Sequence, residues 1–580
     1  MKMRFVSRNF PRRLGWLDIV VLGFIFILLY VVLKLGMGML LPFSPQQQPV
    51  IDLSPSMLPY YAGRSLLRMF LAFGASLLFT LVYGYLAAKY AIGRILLVPV
   101  LDILQSVPVL GFLSATIAAF MALFPGSLLG VECAAIFAIF TGQAWNMTFS
   151  FYHALITLPQ DLQEAAGMLH FNWWQRLVRL ELPAAAIGLI WNSMMSFGGG
   201  WFFLAASEAI TVLGQDIHLP GLGSYLAVAV ETGNLSAMLW AMLTMLLVIV
   251  LVDQLFWRPL IVWGQRFKME LSAAAEQPHS FVYTLLQHSA LVQMLGRCVL
   301  RPLLRRSYQL MYRLAARLER LDGGVDRRKA AVLQRLLGAG FLLYLLGQLY
   351  FPARAAFGML YDFGGPELLS VFALGGMTAL RVLAALLLGA LWTIPLGVRI
   401  GLDTRLAGRL QPLIQMAASF PANMIFPFCT VLFVEYQVNF EYASVFLMML
   451  GTQWYILFNV IAGAMSIPND LLEAAEVFKL HGWKRWRYVI LPAVFPQLVN
   501  GMITASGGAW NASIVSEMVS WRDMDLTASG LGAYISAATA AGNWPEIVVG
   551  IMVMCIFVVA IHRLLWSRLY HLSATRYHLD

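Results

Sequence analysis

The sequence predicts an all-α membrane protein, with about twelve transmembrane helices arranged as two parallel repeats of one module. Three observations carry this. Of 580 residues, 60% are hydrophobic and only 12% charged, too little charge for the solvated surface of a soluble protein of this size. Several apolar stretches reach the roughly 20 residues an α-helix needs to cross a hydrocarbon core about 30 Å thick. The second half of the chain repeats the first at a nearly constant offset.

In chain order, the first apolar stretch (17–41) follows a basic leader with Lys2, Arg4, Arg8, Arg12 and Arg13. Its apolar core is longer than a signal-peptide h-region and no small-residue cleavage site follows, so it reads as a retained first span. Five more spans are predicted at 66–90, 95–124, 128–158, 184–207 and 236–263, and six in the second half at 334–351, 368–401, 407–434, 439–466, 493–516 and 546–567. With a cytoplasmic N-terminus, six spans return the chain to the cytoplasm at an arginine-rich segment containing Arg297, Arg301, Arg305, Arg306, Arg313, Arg317, Arg327 and Arg328. That agrees with the positive-inside rule and accounts for the net charge of +10 without nucleic acid. Leu303, Leu310, Leu314 and Leu318 recur there at helical spacing, which predicts amphipathic helices on the inner leaflet, serving as a structural linker or as a lipid or regulatory sensor. The predicted organisation is a first transmembrane module at 1–263, a basic linker at 264–333 and a second module at 334–580. Cys133, Cys298, Cys429 and Cys555 are scattered singly without metal-ligand spacing, so neither a disulfide nor a metal is assigned.

An offset of 309 places Gly142 on Gly451, Trp145 on Trp454 and Pro159 on Pro468; it continues through Gly198, Gly199, Trp201, Ser207 and Glu208 on Gly507, Gly508, Trp510, Ser516 and Glu517. Upstream, with an offset of 313, Arg68, Gly84, Pro99, Ser106 and Pro108 fall on Arg381, Gly397, Pro412, Ser419 and Pro421. The repeat spans about five helices of each half and gives both copies one orientation, so two parallel modules enclose a pathway at their interface.

Between the fourth and fifth spans of each half lies a polar helical run, PQDLQEAAGMLHFNWWQRLVRLELP and then PNDLLEAAEVFKLHGWKRWRYVILP, on the cytoplasmic side of the predicted topology. Asp161 and Asp470 follow a proline and are expected to cap the helix, with Glu164 and Glu473 completing a capping-box-like start. Ala165 and Ala166, like Ala474 and Ala475, leave room for close approach of another surface.

These segments resemble the coupling loop of binding-protein-dependent ABC importer permeases, an EAA motif followed by a leucine-proline pair, here Leu182-Pro183 and Leu491-Pro492. Where that family usually has glycine four residues after the second alanine, this chain has His170 and Lys479, which leaves Asn172 and Gly482 to supply the turn. LDILQSVPVLGFL, AASFPANMIFP and a GG-x-W with a following Ser-Glu make the chain similar to the duplicated, fused permeases of the anion-type branch, such as nitrate, sulfonate and taurine importers. The resemblance implies a multi-pass protein of the bacterial inner membrane with both termini cytoplasmic. It implies two cytoplasmic ABC ATP-binding subunits gripping Asp161, Glu164, Ala165, Ala166, Gly167, His170, Asp470, Glu473, Ala474, Ala475, Glu476 and Lys479, and often an external substrate-binding protein. The chain has no G-x-x-x-x-G-K-[ST] phosphate loop, so it is not itself an enzyme; ATP and Mg belong to the partner. An ion-gradient-driven secondary transporter is the alternative, since twelve spans in two parallel halves describe that architecture too.

Ionisable and polar groups inside spans are the pathway candidates. Arg68 and Arg381 are placed near outer helix ends, to attract an anion or to snorkel. Glu208 and Glu517, each after Ser207 or Ser516, line an external gate, join the halves or form a bond within each half. The paired glycines 198–199 and 507–508 serve close packing or a hinge, and Trp201 and Trp510 wall a cavity or pack. Gln143, Asn146, Asn423 and Asn511 differ between halves and would make a cavity asymmetric, or bond between helices.

Overall fold

The computed structural model describes residues 16–42, 49–106, 108–212, 215–267, 280–322, 363–521 and 524–576, with scattered positions between 340 and 361. The first module comprises α1 (Trp16–Met37), α2 (Leu58–Lys89), α3 (Ala91–Ser106), α4 (Leu113–Leu123) and α5 (Leu129–Ile156), then the short α6 (Gln160–Met168) and α7 (Trp173–Arg176), and α8 (Leu182–Glu208). A hairpin, β1 (Ala209–Val212) with β2 (Gln215–His218), leads to α9 (Leu222–Glu231), α10 (Leu235–Val252) and α11 (Arg258–Gly264). The linker contains α12 (Phe281–His288), α13 (Ala290–Leu295) and α14 (Arg301–Asp322). The second module repeats the order: α15 (Gly365–Leu402), α16 (Thr404–Ser419), α17 (Phe426–Glu435), α18 (Phe440–Met465), α19 (Asn469–Val477), α20 (Trp483–Arg485), α21 (Leu491–Ser516), hairpin β3 (Met518–Trp521) with β4 (Met524–Thr527), α22 (Leu531–Ala541), α23 (Trp544–Ile561) and α24 (Ser567–Arg576).

Among the described residues, six helical segments are long and apolar enough to cross a membrane: Pro55–Lys89, Leu235–Phe267, Gly365–Leu402, Phe440–Met465, Trp483–Ser516 and Trp544–Ser573. Helices α5 and α8, 28 and 27 residues long, occupy the places in the first module that α18 and α21 hold in the second. The predicted span at 334–351 lies almost wholly outside the described residues.

The predicted spans 95–124 and 407–434 are not single helices. Each is broken near its middle, by a 3₁₀ turn at Val109–Phe112 after Pro108 and at Ala422–Met424 after Pro421. Proline lacks the N–H that an interior helical turn would donate, so an apolar run with proline at its centre becomes two half-helices. A proline also sits one residue into α8 and α21, and in both copies a five-residue π-turn precedes it, Leu177–Glu181 and Trp486–Ile490, widening the helix where the regular bond is missing.

Helices α2, α5 and α8 pack in series, as do α15, α18 and α21. The modules interlock through their broken helices. Val109, Leu110 and Leu113 of the first module share a buried cluster with Trp510, Ile514 and Ile535 of the second. Backbone N–H of Val109 donates to Oδ1 of Asn511 at 2.8 Å, and Nδ2 of Asn423 donates to the carbonyl of Phe202 at 3.1 Å. Residues 202 and 511 are equivalent under the 309 offset, so each module's helix break leans on the other's fifth core helix. The hairpins follow the same rule, β1 packing on α22 and β3 on α9.

Candidate translocation pathway and coupling loops

Between the modules lies a cavity of about 70 Å³. Its wall from the first module is α8, with Met195, Gly198, Gly199, Phe202 and Phe203; the second module supplies the break after α16 with parts of α18 and α21. A Cβ on Gly198 would stand 2.8 Å from Oγ of Ser419, and one on Gly199 would stand 2.9 Å from Oη of Tyr455. Gly198 and Gly199 therefore sit in close contact with the other half, whereas Gly507 has nothing within 4 Å and Gly508 meets Thr452 and Tyr455 of its own module. The polar groups on the lining are Gln415, Ser419, Trp454, Tyr455 and Asn511, all uncharged and all from the second module. A second, more open cavity of about 260 Å³ lies beside it, lined by Leu226, Val230, Glu231, Asn423 and Ser520 among others.

Of the predicted pathway residues, Asn511 lines the first cavity and Asn423 the second. Gln143 is buried between α5 and α2, where its Oε1 accepts from Ser76 at 3.4 Å, and the exposed Asn146 donates to Ser196 at 3.3 Å. Trp201 stacks edge-on with Phe197 at 5.7 Å and also lines a small third cavity of about 20 Å³ with Gln415 and Ser419, whereas Trp510 lies against Phe557 at 6.5 Å. Ser207 turns back to the carbonyl of Leu204 at 3.1 Å, and Ser516 is fully buried.

The arginines and glutamates meet each other at the end of the bundle opposite the polar loops, and none of their side chains lines either cavity. In the first module, Nε of Arg68 donates to Glu132 at 2.5 Å, its Nη1 to Glu208 at 2.7 Å, and Arg64 pairs with Glu132 as well. Ser65 donates to Glu208 at 2.6 Å and receives the N–H of Leu222 at 3.0 Å. The N–H of Gly223 completes the carboxylate's shell at 2.7 Å, so the N-terminus of α9 faces the negative charge. All four charged side chains are fully buried. The second module repeats the design: Arg381 pairs with Glu517 at 3.0 Å and with Glu441, Thr378 donates to Glu517 at 2.8 Å and accepts from Leu531, and the N–H of Gly532 donates to Glu517 at 2.7 Å. A Cβ on Gly221 or Gly530 would fall within 2.4 Å of these carboxylates, so only glycine lets the chain pass there.

Arg68 and Arg381 are thus committed to carboxylates and do not snorkel, while Glu208 and Glu517 bond within their own halves. Sequence reasoning missed Glu132 and Glu441, Ser65 and Thr378, and Arg64. The first two pairs were available as a signal, being related by the same offsets of 309 and 313. Arg64 has no counterpart: position 377 is Met.

The polar loops form a matched pair. Helix α6 starts at Gln160 and α19 at Asn469, with Pro159 and Pro468 at the cap positions and no side-chain cap bond. The expectation that Asp161 and Asp470 cap the helix, with Glu164 and Glu473 completing a capping box, is corrected, because the proline itself holds the cap position. The two aspartates sit inside the first turn, where their charge faces the positive end of the helix dipole. Asp161, Glu164, Ala165 and Gly167 are exposed, as are Asp470, Glu473 and Glu476, while Ala166 and Ala475 are buried and Ala474 is half-buried. Next to the acids, Met168 and Leu169 stand 82% and 65% exposed and Val477 and Phe478 78% and 76%, an apolar pair repeated in each copy.

The turn that follows is made by His170 and Lys479 themselves, at φ of +50° and +53°. The N–H of Phe171 bonds to Ala166 and that of Leu480 to Ala475, the reversed bond that closes a helix on a left-handed residue. The expectation that Asn172 and Gly482 replace the missing glycine is corrected. Asn172 instead caps α7 in a capping box with Gln175, and Gly482, at φ +56°, starts α20.

A duplicated bundle with a cavity at the module interface and a matched pair of exposed polar loops defines a two-module membrane permease. The chain matches the family of binding-protein-dependent transport system inner membrane components twice, over residues 80–256 and 386–578, and it belongs to that family. It is similar to a nitrate import permease of Leptolyngbya laminosa, 29% identical over 30% of this chain and 58% of the relative. It is also similar to a bicarbonate transport system permease of Synechococcus elongatus, 30% identical over 24% of this chain and 49% of the relative. A putative aliphatic sulfonates transport permease of Bacillus subtilis is 26% identical over 30% of this chain and 60% of the relative. The chain thus spans about half to three-fifths of the length of the curated relatives it matches.

Proposed function

We propose that this chain is the fused permease of an ATP-driven importer and forms the pathway for a small anion of the nitrate, bicarbonate or sulfonate kind. The observation that carries the reading is the duplicated polar loop. Glu164 and Glu473 lie on exposed short helices beside an exposed apolar pair, at equivalent places between the fourth and fifth core helices. Large exposed aliphatic and aromatic side chains rimmed by charge fit a partner surface. The partners are two cytoplasmic ATP-binding subunits, which hold the ATP and Mg, joined on the opposite face by a substrate-binding protein. Asp161, Glu164, Ala165, Ala166, Gly167 and His170, with Asp470, Glu473, Ala474, Ala475, Glu476 and Lys479, form the two contact surfaces. The chain sits in a bacterial inner membrane with both termini cytoplasmic, as two modules (1–263 and 334–580) joined by the linker at 264–333.

The choice of an anion rests on the relatives, because the duplicated arginines that suggested it are neutralised by glutamates. Neutral donors on the cavity wall, the amides of Gln415 and Asn511 and the hydroxyls of Ser419 and Tyr455, suit an oxyanion's acceptor oxygens. The test is ATP turnover of the purified chain in lipid with its ATP-binding subunit, comparing wild type with Glu164→Arg/Glu473→Arg. Loss of subunit binding and of turnover in the variant supports the reading. Normal transport by the variant on an ion gradient, with no subunit bound, replaces it with a secondary transporter.

A further inference from the structure

The linker does more in this structure than join two modules. Its first helices are tied to the coupling-loop end of the first bundle: Oγ of Ser289 and the N–H of Leu291 donate to buried Asp18 on α1 at 2.7 and 2.9 Å, and Arg266 lies over the ring of Tyr283 at 5.8 Å. Helix α14 then runs against α7 of the first coupling loop. The guanidinium of Arg179, one turn beyond α7, lies between two rings, Phe171 of the loop at 5.6 Å and Tyr308 of α14 at 5.8 Å. Ala315, two turns further along the same side of α14, is fully buried.

The adjacent face of α14 is uncovered. Leu300, Leu303, Leu304, Leu310 and Leu314 recur at helical spacing and are 42–61% exposed. Arg305, Arg306, Arg313 and Arg317 are exposed around the rest of the helix. A stripe of five leucines is not stable in water, and its flanking guanidinium groups call for phosphate. The helix hangs from the ends of membrane-spanning helices, so the surface nearest to it is the bilayer. We propose that α14 docks on the anionic lipid surface, leucines among the acyl chains and arginines on the headgroups, and that this docking positions the first coupling loop through the Phe171–Arg179–Tyr308 stack. Among the described residues the second loop has no such lever: the position of Arg179 is held by Tyr488, which is 64% exposed. Lipid charge then acts on one of the two loops only.

The control of turnover rests on the importer reading above; the lipid contact itself does not. Two readouts therefore separate them. The full chain is reconstituted in nanodiscs of phosphatidylcholine alone or with about 30% phosphatidylglycerol, whose negative surface attracts basic residues. Amide exchange in 297–317 is expected to slow by about tenfold or more in the anionic discs, and Arg305→Gln/Arg306→Gln/Arg313→Gln/Arg317→Gln to lose most of that protection. With the ATP-binding subunit added, wild-type turnover is expected to differ about threefold or more between the two lipids and the variant to be indifferent. Leu310→Glu, which leaves the arginines in place, is expected to abolish protection in both lipids. Equal exchange of wild type in the two lipids, or a variant that keeps the lipid response, overturns the docking. Lipid-dependent protection with unchanged turnover overturns the lever, and failure of any subunit to bind leaves the exchange result to decide the docking alone.

Discussion

The two buried charge networks occupy the same place in each module and solve the same problem differently. In the first, two arginines face two glutamates and no side chain of the four reaches solvent. In the second, Arg381 alone faces Glu441 and Glu517, and Glu441 is 35% exposed, with Ser529 donating to it at 2.7 and 2.9 Å through its hydroxyl and its N–H. Arg64 also ties α2 to α1 by donating to the carbonyl of Leu35 at 3.0 Å, a helix with no described counterpart in the second half. The first network is closed and charge-balanced; the second is open and carries one carboxylate in excess. Duplication followed by divergence has left one half clamped and the other adjustable.

The sharpest break in that comparison is removal of the middle carboxylate. Glu132→Ala strands the buried guanidinium of Arg64 and leaves Arg68 with Glu208 alone, and loss of one partner of a buried pair is expected to cost about 4 kcal/mol. Glu441→Ala, at a half-exposed site, is expected to cost about 1 kcal/mol. Thermal unfolding of the two purified variants checks the ratio; equal losses would mean that the networks are energetically alike.

A second asymmetry sharpens it. Lys89 pairs with buried Glu181 beside the first coupling loop, whereas the equivalent positions in the second module are Leu402 and Ile490. Nature has thus already made the swap of an ion pair for an apolar pair. Lys89→Leu alone leaves Glu181 uncompensated and is expected to cost about 3 kcal/mol, while Lys89→Leu/Glu181→Ile is expected to lie within about 1 kcal/mol of the parent. A denaturation cycle on the four proteins measures the coupling, and additive losses would show that the pair does not act as a unit. The smallest effect is at the coupling turns. His170→Gly and Lys479→Gly each relieve a left-handed residue and are expected to stabilise their loops by about 1 kcal/mol, read as slower amide exchange in 160–176 and 469–485.

Much of this was legible before any coordinates. The 309 offset is set by helices that repeat residue for residue, so module order, the paired loops and the equivalence of Glu208 with Glu517 follow from the sequence. Hydropathy missed the breaks at Pro108 and Pro421 because half-helices of an apolar run are as greasy as a whole one. It also placed Arg68 by helix position alone, since Glu132 stands 64 residues away and no local pattern joins them. The left-handed turns were misplaced because glycine is the usual answer there and the chain accepts His170 and Lys479 instead. The cavity was only partly legible: its place between the modules and Asn511 on its wall were expected, but the rest of the wall is built from neutral residues at spacings any buried helix shows.

That neutral wall has an electrical consequence. On the proposed function, the lining of the first cavity would offer an anion hydrogen bonds but no countercharge, so the ion would carry its full charge through whatever part of the transmembrane field falls across the gap. Moving one elementary charge through a complete potential of 100 mV is worth about 2.3 kcal/mol. If, as proposed, the cargo is a monovalent anion moving toward a negative interior, its passage is uphill by that amount before any concentration gradient is counted, and the proposed ATP-binding partners would supply that work.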